Sequence, residues 1–422
     1  MFKKIRTASI SKDKKRLLSN FLSLSALQIF TYALPLLTLP YLVRVLGVEK
    51  YGLVMFAQSL ILFFNILVDY GFNLSATREI SIHRDNKDKI TEIFSSVMII
   101  KFLILIFSIA ILALIVFSFE IFYINKELYF ITYLIVVGHA LLPIWYFQGL
   151  EEMKYITIVN ILSRVVFTAA IFLFINKEDD YILVPLLNGF GVILGSIYAL
   201  YLIKKSFKQE FNFQSIKTLK IYFKDSTDFF LSRVSVSIYT SANAFVLGLF
   251  TNNTMVGYYS IAEKLYQAIQ GLYGPITQAL YPYVAKEKNV PLFKKIFYSV
   301  IALNIIGVMI LFGFGEFIFS ILFTQKIGSE SISIFYVFLF ANLVAVPSVL
   351  LGYPFLGALG FTGFTNKSVM LSSAYHIFGL LIVIAFFEVS IYSVSYLFVT
   401  TAMIELLIRV YGVIKYQLWN LN

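Results

Sequence analysis

Long apolar runs recur along the whole chain and are separated by short polar connections. A helix needs about 20 apolar residues to cross the hydrocarbon core of a bilayer. The pattern therefore predicts an all-α integral membrane protein with twelve transmembrane helices. We expect these helices at about 20–43, 51–73, 92–119, 128–149, 155–175, 181–203, 226–250, 255–284, 293–322, 331–353, 368–388 and 391–413.

The composition supports this class. Of the 422 residues, 59% are hydrophobic and 14% are charged, whereas charged residues make up about 25% of an ordinary soluble domain. The net charge of +11 fits lysine-rich cytoplasmic loops better than a nucleic-acid surface. Because the chain has no cysteine and its three histidines lie far apart, we expect no disulfide, metal site or cofactor. We also expect the first apolar run to remain as a spanning helix rather than a cleaved signal.

Lysine and arginine are unequally shared between alternate connections. The side of the N-terminus carries 24 of them, the opposite side carries 5, and 5 lie within helices. Basic residues mark the cytoplasmic side of membrane proteins. The bias predicts that both termini are cytoplasmic, as an even number of helices requires.

The chain also divides into two similar halves of six helices, 1–214 and 215–422. The segment VLGVEKYGLVMFAQSL (45–60) resembles VLGLFTNNTMVGYYSIAEKL (246–265). This alignment pairs Gln58 with Glu263 and Asn65 with Gln270. Halves of this kind are related by an axis along the membrane normal and usually enclose a substrate site near the bilayer midplane.

Polar and charged residues at helical spacing are the candidate substrate-binding residues. An ionisable side chain in the middle of a membrane helix costs roughly 2.5 to 3.5 kcal/mol on insertion scales, so it usually faces a cavity or a partner. The candidates are Gln58, Asn65 and Asp69 in the second helix, Lys101 in the third, Arg164 in the fifth, Arg233, Ser237 and Thr240 in the seventh, and Glu263, Lys264, Gln267 and Gln270 in the eighth.

Several of these residues also have a purely structural interpretation. Lys101 would then snorkel to the interface, Arg164 would pair with a neighbouring helix, and Asp69 would balance one of the cations. Arg409, one turn from Glu405, is expected to form a helical ion pair. Arg233, Glu263 and Lys264 are the ions that we favour as functional.

Cations at several depths suit an anion that crosses the membrane, such as a phosphate or pyrophosphate group.

Pro35, Pro40, Pro275 and Pro282 are candidate hinges for alternating access; the alternative is the ordinary abundance of proline in membrane helices. No phosphate-binding glycine loop or catalytic triad is evident, so we expect neither ATP hydrolysis nor an enzyme.

Three segments resemble one family of transporters. They are ALPLLTLPYLVRVLGVEKYGLVMFAQS, FLSRVSVSIYTSANAFVLGLFTNNTMVGYYSIAEKL and PFLGALGFTGFTNKS. They are similar to bacterial O-antigen and polysaccharide repeat-unit flippases of the multidrug/oligosaccharidyl-lipid/polysaccharide exporter superfamily. The resemblance implies two six-helix lobes in a V and a cavity lined chiefly by the first, second, seventh and eighth helices.

The resemblance also implies a substrate and a setting. The substrate would be an undecaprenyl-pyrophosphate-linked oligosaccharide, flipped across the bacterial inner membrane, with a glycan polymerase and chain-length machinery as partners. Related lipid II flippases place cations in their cavity, a part that Arg233 and Lys264 would play here. Those flippases usually carry two further C-terminal helices that this sequence lacks, which disfavours a lipid II role.

Other functions stay open at this point. An ion-coupled multidrug antiporter of the same superfamily would favour an acidic, aromatic cavity, whereas the buried charge here is mainly positive. A polysaccharide polymerase or transferase would need a longer outer loop, and a scaffold would have no use for buried cations. The driving force is either an ion gradient acting through Asp69 or Glu263 or downhill flux.

Overall fold

Helices follow one another along the chain, and the described part contains no β-strand, which confirms the predicted all-α class. The computed structural model describes the backbone of residues 12–323 and 325–420, and their side chains except those of 12–26, 29, 232, 233, 235–241 and 325–328. The helices are α1 (Lys12–Asp69), α2 (Phe72–Ile82), α3 (Lys87–Ser118), α4 (Glu120–Tyr123), α5 (Lys126–Thr132), α6 (Leu134–Leu141), α7 (Ile144–Gly149), α8 (Met153–Phe174), α9 (Leu183–Ser206), α10 (Ile216–Phe250), α11 (Asn253–Gly271), α12 (Gly274–Glu287), α13 (Val290–Gly313), α14 (Gly315–Leu322), α15 (Gln325–Leu351), α16 (Thr362–Phe386) and α17 (Ile391–Lys415). Short helical turns occupy Glu178–Ile182, Gly352–Gly357 and Leu418–Asn420.

Within the described residues, nine helical stretches are long and apolar enough to cross a bilayer. The first, Phe30–Ile82, contains the predicted span 51–73 and the second half of the predicted span 20–43. The stretches do not include α10, whose middle side chains are not described, or α11, which carries the polar residues of the eighth predicted helix. The protein is therefore a multi-pass membrane protein, and the count of twelve crossings stays a prediction.

The α1 helix consists of two arms, 12–46 and 48–69, that join at Gly47. This glycine has φ 72°, a left-handed conformation that residues with a Cβ rarely adopt. The α10 and α11 helices form a second hairpin. Its turn is stabilised because the Asn252 side chain accepts a hydrogen bond of 3.0 Å from the Met255 amide, which caps α11.

The two hairpins pack against each other and join the halves of the chain. At the predicted outer end, Gly52 lies against the Asn253 carbonyl oxygen, and Gly257 lies against the Val48 carbonyl oxygen. Neither position leaves room for a Cβ atom, so the helix backbones are in direct contact. Farther along, the ring centroids of Phe56 and Phe245 are 5.9 Å apart.

Contacts between the halves continue to the predicted cytoplasmic end. There the Tyr70 ring stacks on Phe230 with centroids 4.6 Å apart. The hydroxyls of Ser75 and Ser226 are 2.7 Å apart and both are buried. The halves therefore meet at both ends of their shared surface.

Several predicted helices are interrupted, which corrects the sequence-based boundaries. The predicted helix 128–149 is divided into α5, α6 and α7. The break between α6 and α7 lies at Pro143, which has no amide proton to continue the helix. The predicted helix 255–284 is divided into α11 and α12. The predicted connection 204–225 is mostly helical, since α10 begins at Ile216 after the Ser215 hydroxyl accepts a hydrogen bond of 3.2 Å from the Thr218 amide.

The predicted hinge prolines lie beside these interruptions rather than at them. Pro35 and Pro40 lie inside α1, whose backbone leaves helical dihedral angles at Gly47. Pro275 lies in the first turn of α12, just after the break, and Pro282 lies inside α12. Their role as hinges stays a prediction.

We expect Gly52→Ala to weaken the contact between the hairpins. The added methyl group would collide with the Asn253 carbonyl, and overpacking of this kind typically costs about 1 to 3 kcal/mol. The matched control is Gly307→Ala in α13, where a Cβ atom would meet nothing within 4 Å. The midpoint of heat denaturation of the purified protein should fall for Gly52→Ala only. Equal midpoints for the two variants would contradict the close contact.

Candidate functional site

Two cations from opposite halves of the chain line the same cavity. This N-terminal cavity has a volume of about 290 Å³ and lies mainly among α1, α6, α8 and α9. Arg164 of α8 and Lys264 of α11 both line it. The same two side chains line an adjoining space of about 190 Å³, together with Tyr32 and Gln267. The structure therefore brings together two predicted site residues that are 100 positions apart in sequence.

The remaining polar lining of the N-terminal cavity is uncharged. It comprises Thr38, Tyr51, Gln58, His139, Asn160, Ser163, Thr168 and Asn188. Among the described residues that line the cavity, Arg164 and Lys264 are thus the charged ones. The two positive charges favour an anion in the cavity, although the Glu263 carboxylate lies near Lys264 outside the lining.

The position of Arg164 follows from the packing of α8 on α9. Gly191 lies close to the Ser163 carbonyl oxygen, at 3.1 Å from an ideal Cβ, and Gly195 lies against the Ser163 hydroxyl. This close approach is typical of a packing seam made by small residues. The seam thus fixes α8 against α9 at Ser163, and the next residue, Arg164, lines the cavity between these helices.

Arg164 keeps hydrogen-bonding capacity for a ligand. Its buried Nε has no hydrogen-bond partner among the described residues, and no described carboxylate forms an ion pair with it. The nearby Asn160 amide donates instead to the Ile156 carbonyl, at 2.9 Å. The alternative in which Arg164 pairs with a neighbouring helix thus has no support in the described side chains.

Lys264 is only weakly engaged by its own helix. Its Nζ lies 3.5 Å from the Gln267 Oε1, at the outer limit for a hydrogen bond. The neighbouring Glu263 acts electrostatically on Lys264 as well as on the phenols of Tyr51 and Tyr259. Glu263 lines neither of the two spaces.

Lys101 lies behind the cavity wall rather than in it. Its side chain is buried, with 2% of the residue exposed, and its Nζ donates a hydrogen bond of 3.1 Å to the His139 carbonyl. In an unbroken helix the amide of residue 143 would donate to this oxygen, but Pro143 has no amide proton. Lys101 thus replaces a lost backbone donor, which gives the snorkelling alternative no support, and its predicted part in substrate binding stays a prediction.

Asp69 lies close enough to Lys101 to act on its charge. Its Oδ1 accepts a hydrogen bond of 2.5 Å from the Asn73 amide. Asn65, one turn earlier, keeps a buried Oδ1 without a hydrogen-bond partner in the described structure. The stripe predicted on the second helix thus forms a polar cluster beside Lys101, and of its members Gln58 lines the cavity.

The other predicted residues have different positions. Gln267 lines the adjoining space, whereas the Gln270 amide donates to the Asn342 Oδ1 at 2.6 Å and so faces α15. Arg233, Ser237 and Thr240 lie outside the described side chains. The resemblance implied a cavity lined by the first, second, seventh and eighth helices. The described lining of this cavity includes residues of the first, second and eighth predicted helices together with the fourth, fifth and sixth, so the implied set stays a prediction.

Some cavity residues were missed at the sequence level. Asn160, Arg164 and Thr168 recur every four residues in α8, so a polar stripe on the fifth helix was available as a signal. Asn188 is a single amide in an apolar helix, so no polar residues at helical spacing indicated it. His139, a single histidine in an apolar helix, also lines the cavity.

Two further polar side chains have structural roles, and one of them confirms the expected Arg409–Glu405 pair. His376 is fully buried, and its ring nitrogens lie 2.8 Å from the Thr401 hydroxyl and 2.9 Å from the Asn243 Oδ1. Arg409 forms an ion pair of 2.5 Å with Glu405 on the same helix.

We expect Lys101→Met to destabilise the protein by on the order of 3 kcal/mol. The change leaves the His139 carbonyl without its donor and removes a positive charge beside Asp69. Adding Asp69→Asn should restore part of the loss, because the uncompensated charge is then removed as well. Heat denaturation measures both variants, with Lys295→Met at an exposed position as control. A Lys101→Met midpoint equal to that of the control would refute the assigned role.

Comparison with solved structures shows which fold the chain has. It is similar to the "Lipid II flippase MurJ, inward closed conformation", with a TM-score of 0.75 and 16% identity over 94% of this chain and 87% of that one. It is also similar to an inward-facing multidrug resistance MATE family transporter of the MOP superfamily, with a TM-score of 0.67 and 14% identity over 94% and 98% of the two chains. Identities this low show the fold alone.

Sequence comparison gives the family. Two relatives carry the name "Putative O-antigen transporter". The one from Escherichia coli (strain K12) is 33% identical over 306 residues, 71% of this chain and 72% of the relative. The one from Shigella dysenteriae is 28% identical over 321 residues, 75% and 78% of the two chains. Residues 17–288 match the family described as "Polysaccharide biosynthesis protein", and the chain belongs to that family.

Proposed function

We propose that the protein is a flippase, not an enzyme, that moves an undecaprenyl-pyrophosphate-linked oligosaccharide from the cytoplasmic to the outer leaflet of the bacterial inner membrane. The main support for this proposal is that Arg164 and Lys264, which belong to opposite halves of the chain, line the same cavity. The family and the names of the relatives support a lipid-linked glycan as the substrate.

The pyrophosphate is the part of such a substrate that most resists crossing. A bare anion is strongly disfavoured in hydrocarbon, so a path across the membrane must supply positive charge and hydrogen-bond donors. The Arg164 guanidinium offers several donors in a planar fork that suits phosphate oxygens, and Lys264 adds a compact charge. Gln58 and Asn188 supply further donors along the same wall.

The shared cavity links substrate binding to the position of the halves. Arg164 belongs to the first half (1–214) and Lys264 to the second (215–422). Any relative motion of the halves therefore changes the separation of the two cations. An anion bound by both favours the arrangement in which they converge, which is the differential affinity that alternating access requires.

Opening toward the outer leaflet would separate the hairpin tips at Gly52 and Gly257. The break between α11 and α12 lies on the second-half wall, beside Pro275. We propose bending there and at Pro35, Pro40 and Pro282 during this motion. Asp69 and Glu263, the acidic groups near the cations, are the candidate sites for a coupling ion.

We expect Arg164→Gln and Lys264→Gln each to weaken pyrophosphate binding by about tenfold to a hundredfold, because hydrogen bonds to charged groups are typically worth about 1.5 to 3 kcal/mol. Binding of inorganic pyrophosphate to the purified protein measures this effect directly. Arg164→Lys should be intermediate, since it keeps the charge and loses the planar fork. Lys295→Gln, at an exposed position, is the control.

Export in cells tests the same variants. In a strain that lacks the gene, the wild-type chain should restore cell-surface glycan, and the Arg164→Gln/Lys264→Gln double variant should not, at matched protein levels. Full export by the double variant would overturn the proposal. If deletion instead leaves the surface glycan intact and raises drug sensitivity, the protein is a multidrug exporter.

A further inference from the structure

The second half of the chain holds a cavity of its own, which the proposed translocation step has not used. This C-terminal cavity has a volume of about 650 Å³ and lies among α12, the end of α15, α16 and α17. It is lined by Thr277, Gln278, Tyr281, Val349, Tyr353, Pro354, Asn366, Val369, Met370, Glu405 and Arg409. Its size falls within the usual range for small-molecule sites, about 300 to 1,000 Å³.

The charge of the C-terminal cavity is balanced, unlike that of the N-terminal cavity. Its one cation among the described lining residues, Arg409, is 4% exposed and fully engaged. The guanidinium lies 2.5 Å from the Glu405 carboxylate. It also donates to the Ser348 carbonyl at 2.8 Å and to the Ser368 hydroxyl at 3.2 Å. Arg409 therefore stabilises the wall and leaves no net charge to hold an anion.

The remaining lining combines aromatic rings with uncharged polar groups. Tyr281 and Tyr353 are 41% and 49% exposed. The Tyr353 hydroxyl donates a hydrogen bond of 2.5 Å to the Asn366 Oδ1, which orients the Asn366 amide so that its nitrogen is left to donate. Glu405 adds carboxylate acceptors. Sugar hydroxyls both donate and accept hydrogen bonds, and the apolar faces of sugar rings pack on aromatic side chains, so this lining suits a neutral glycan.

The C-terminal cavity also has the right position along the second-half wall. Lys264 and Gln278 are separated by 14 residues, about 20 Å along helices α11 and α12. Gln278 lines the C-terminal cavity, and its amide donates to the Gln28 Oε1 of α1 at 3.2 Å. The cavity is therefore beside the contact between the halves and toward the predicted cytoplasmic side.

We propose that the C-terminal cavity binds the sugars of the lipid-linked substrate while Arg164 and Lys264 hold its pyrophosphate. The inference rests on the proposed flippase function and adds a division of labour to it. The positively charged cavity takes the anionic linkage, and the neutral, aromatic cavity takes the glycan. A free neutral oligosaccharide should then bind on its own at the second site.

Cysteine protection distinguishes the two sites, because the natural chain contains no cysteine. Val369→Cys places a reporter in the C-terminal cavity, and Thr168→Cys places one in the N-terminal cavity. Lys295→Cys is the exposed control. The probes are inorganic pyrophosphate and the oligosaccharide released by mild acid from the lipid-linked intermediate that accumulates in the deletion strain. Each is added to the full-length protein in lipid nanodiscs before a thiol reagent.

At a ligand concentration of about ten times Kd, occupancy slows labelling of a protected cysteine about tenfold. The oligosaccharide should slow labelling of Val369→Cys and spare Thr168→Cys, and pyrophosphate should do the reverse. Protection of Thr168→Cys alone by the oligosaccharide, or no protection at all, overturns the glycan site. Failure of pyrophosphate to protect Thr168→Cys counts against the proposed function instead, so the two failures are separate.

A substitution in the wall gives an independent measurement. Asn366→Ala removes the amide beside Tyr353 and should raise the Kd of the oligosaccharide while leaving the Kd of pyrophosphate unchanged. Because the same preparation reports both ligands, retained pyrophosphate binding shows that the variant is folded. An unchanged oligosaccharide Kd in both Asn366→Ala and Tyr353→Ala would refute the assignment.

Discussion

A backbone carbonyl that loses its amide partner inside a membrane must find another donor, because neither water nor lipid supplies one there. Pro143 removes the partner of the His139 oxygen, and the Lys101 ammonium replaces it at 3.1 Å. Pro275 removes the partner of the Gly271 oxygen, and the Gln28 amide of α1 replaces it at 3.3 Å. Each helix break that shapes the site is thus stabilised by a polar side chain from another helix.

This requirement separates the buried ions into two groups. Lys101 and Arg409 are committed to the fold, since one completes a broken helix and the other completes a network with Glu405 and two serines. Arg164 and Lys264 have no comparable partners among the described residues. Burial alone would have placed Lys101 first among the functional candidates. The partner of each ion, rather than its depth, indicates its role.

The sequence predicted what depends on local spacing and missed what depends on distant partners. The all-α class and the Arg409–Glu405 pair follow from residues a few positions apart. The break at Pro143 could be suspected from the sequence, but the residue that stabilises it is 38 positions away. For the same reason the convergence of Arg164 and Lys264 was out of reach, because it depends on how two helices from different halves pack.

Separate cavities for the linkage and the glycan would also let the two parts of a substrate be recognised independently. The pyrophosphate linkage has the same chemistry whatever sugars it carries, so the cation pair serves any substrate of this class. The glycan varies, and discrimination between glycans needs walls whose hydrogen bonds and shape differ from one protein to another. Because the pyrophosphate site spans the two halves and the glycan cavity lies within one, sugar specificity can change without altering the contact that couples binding to motion.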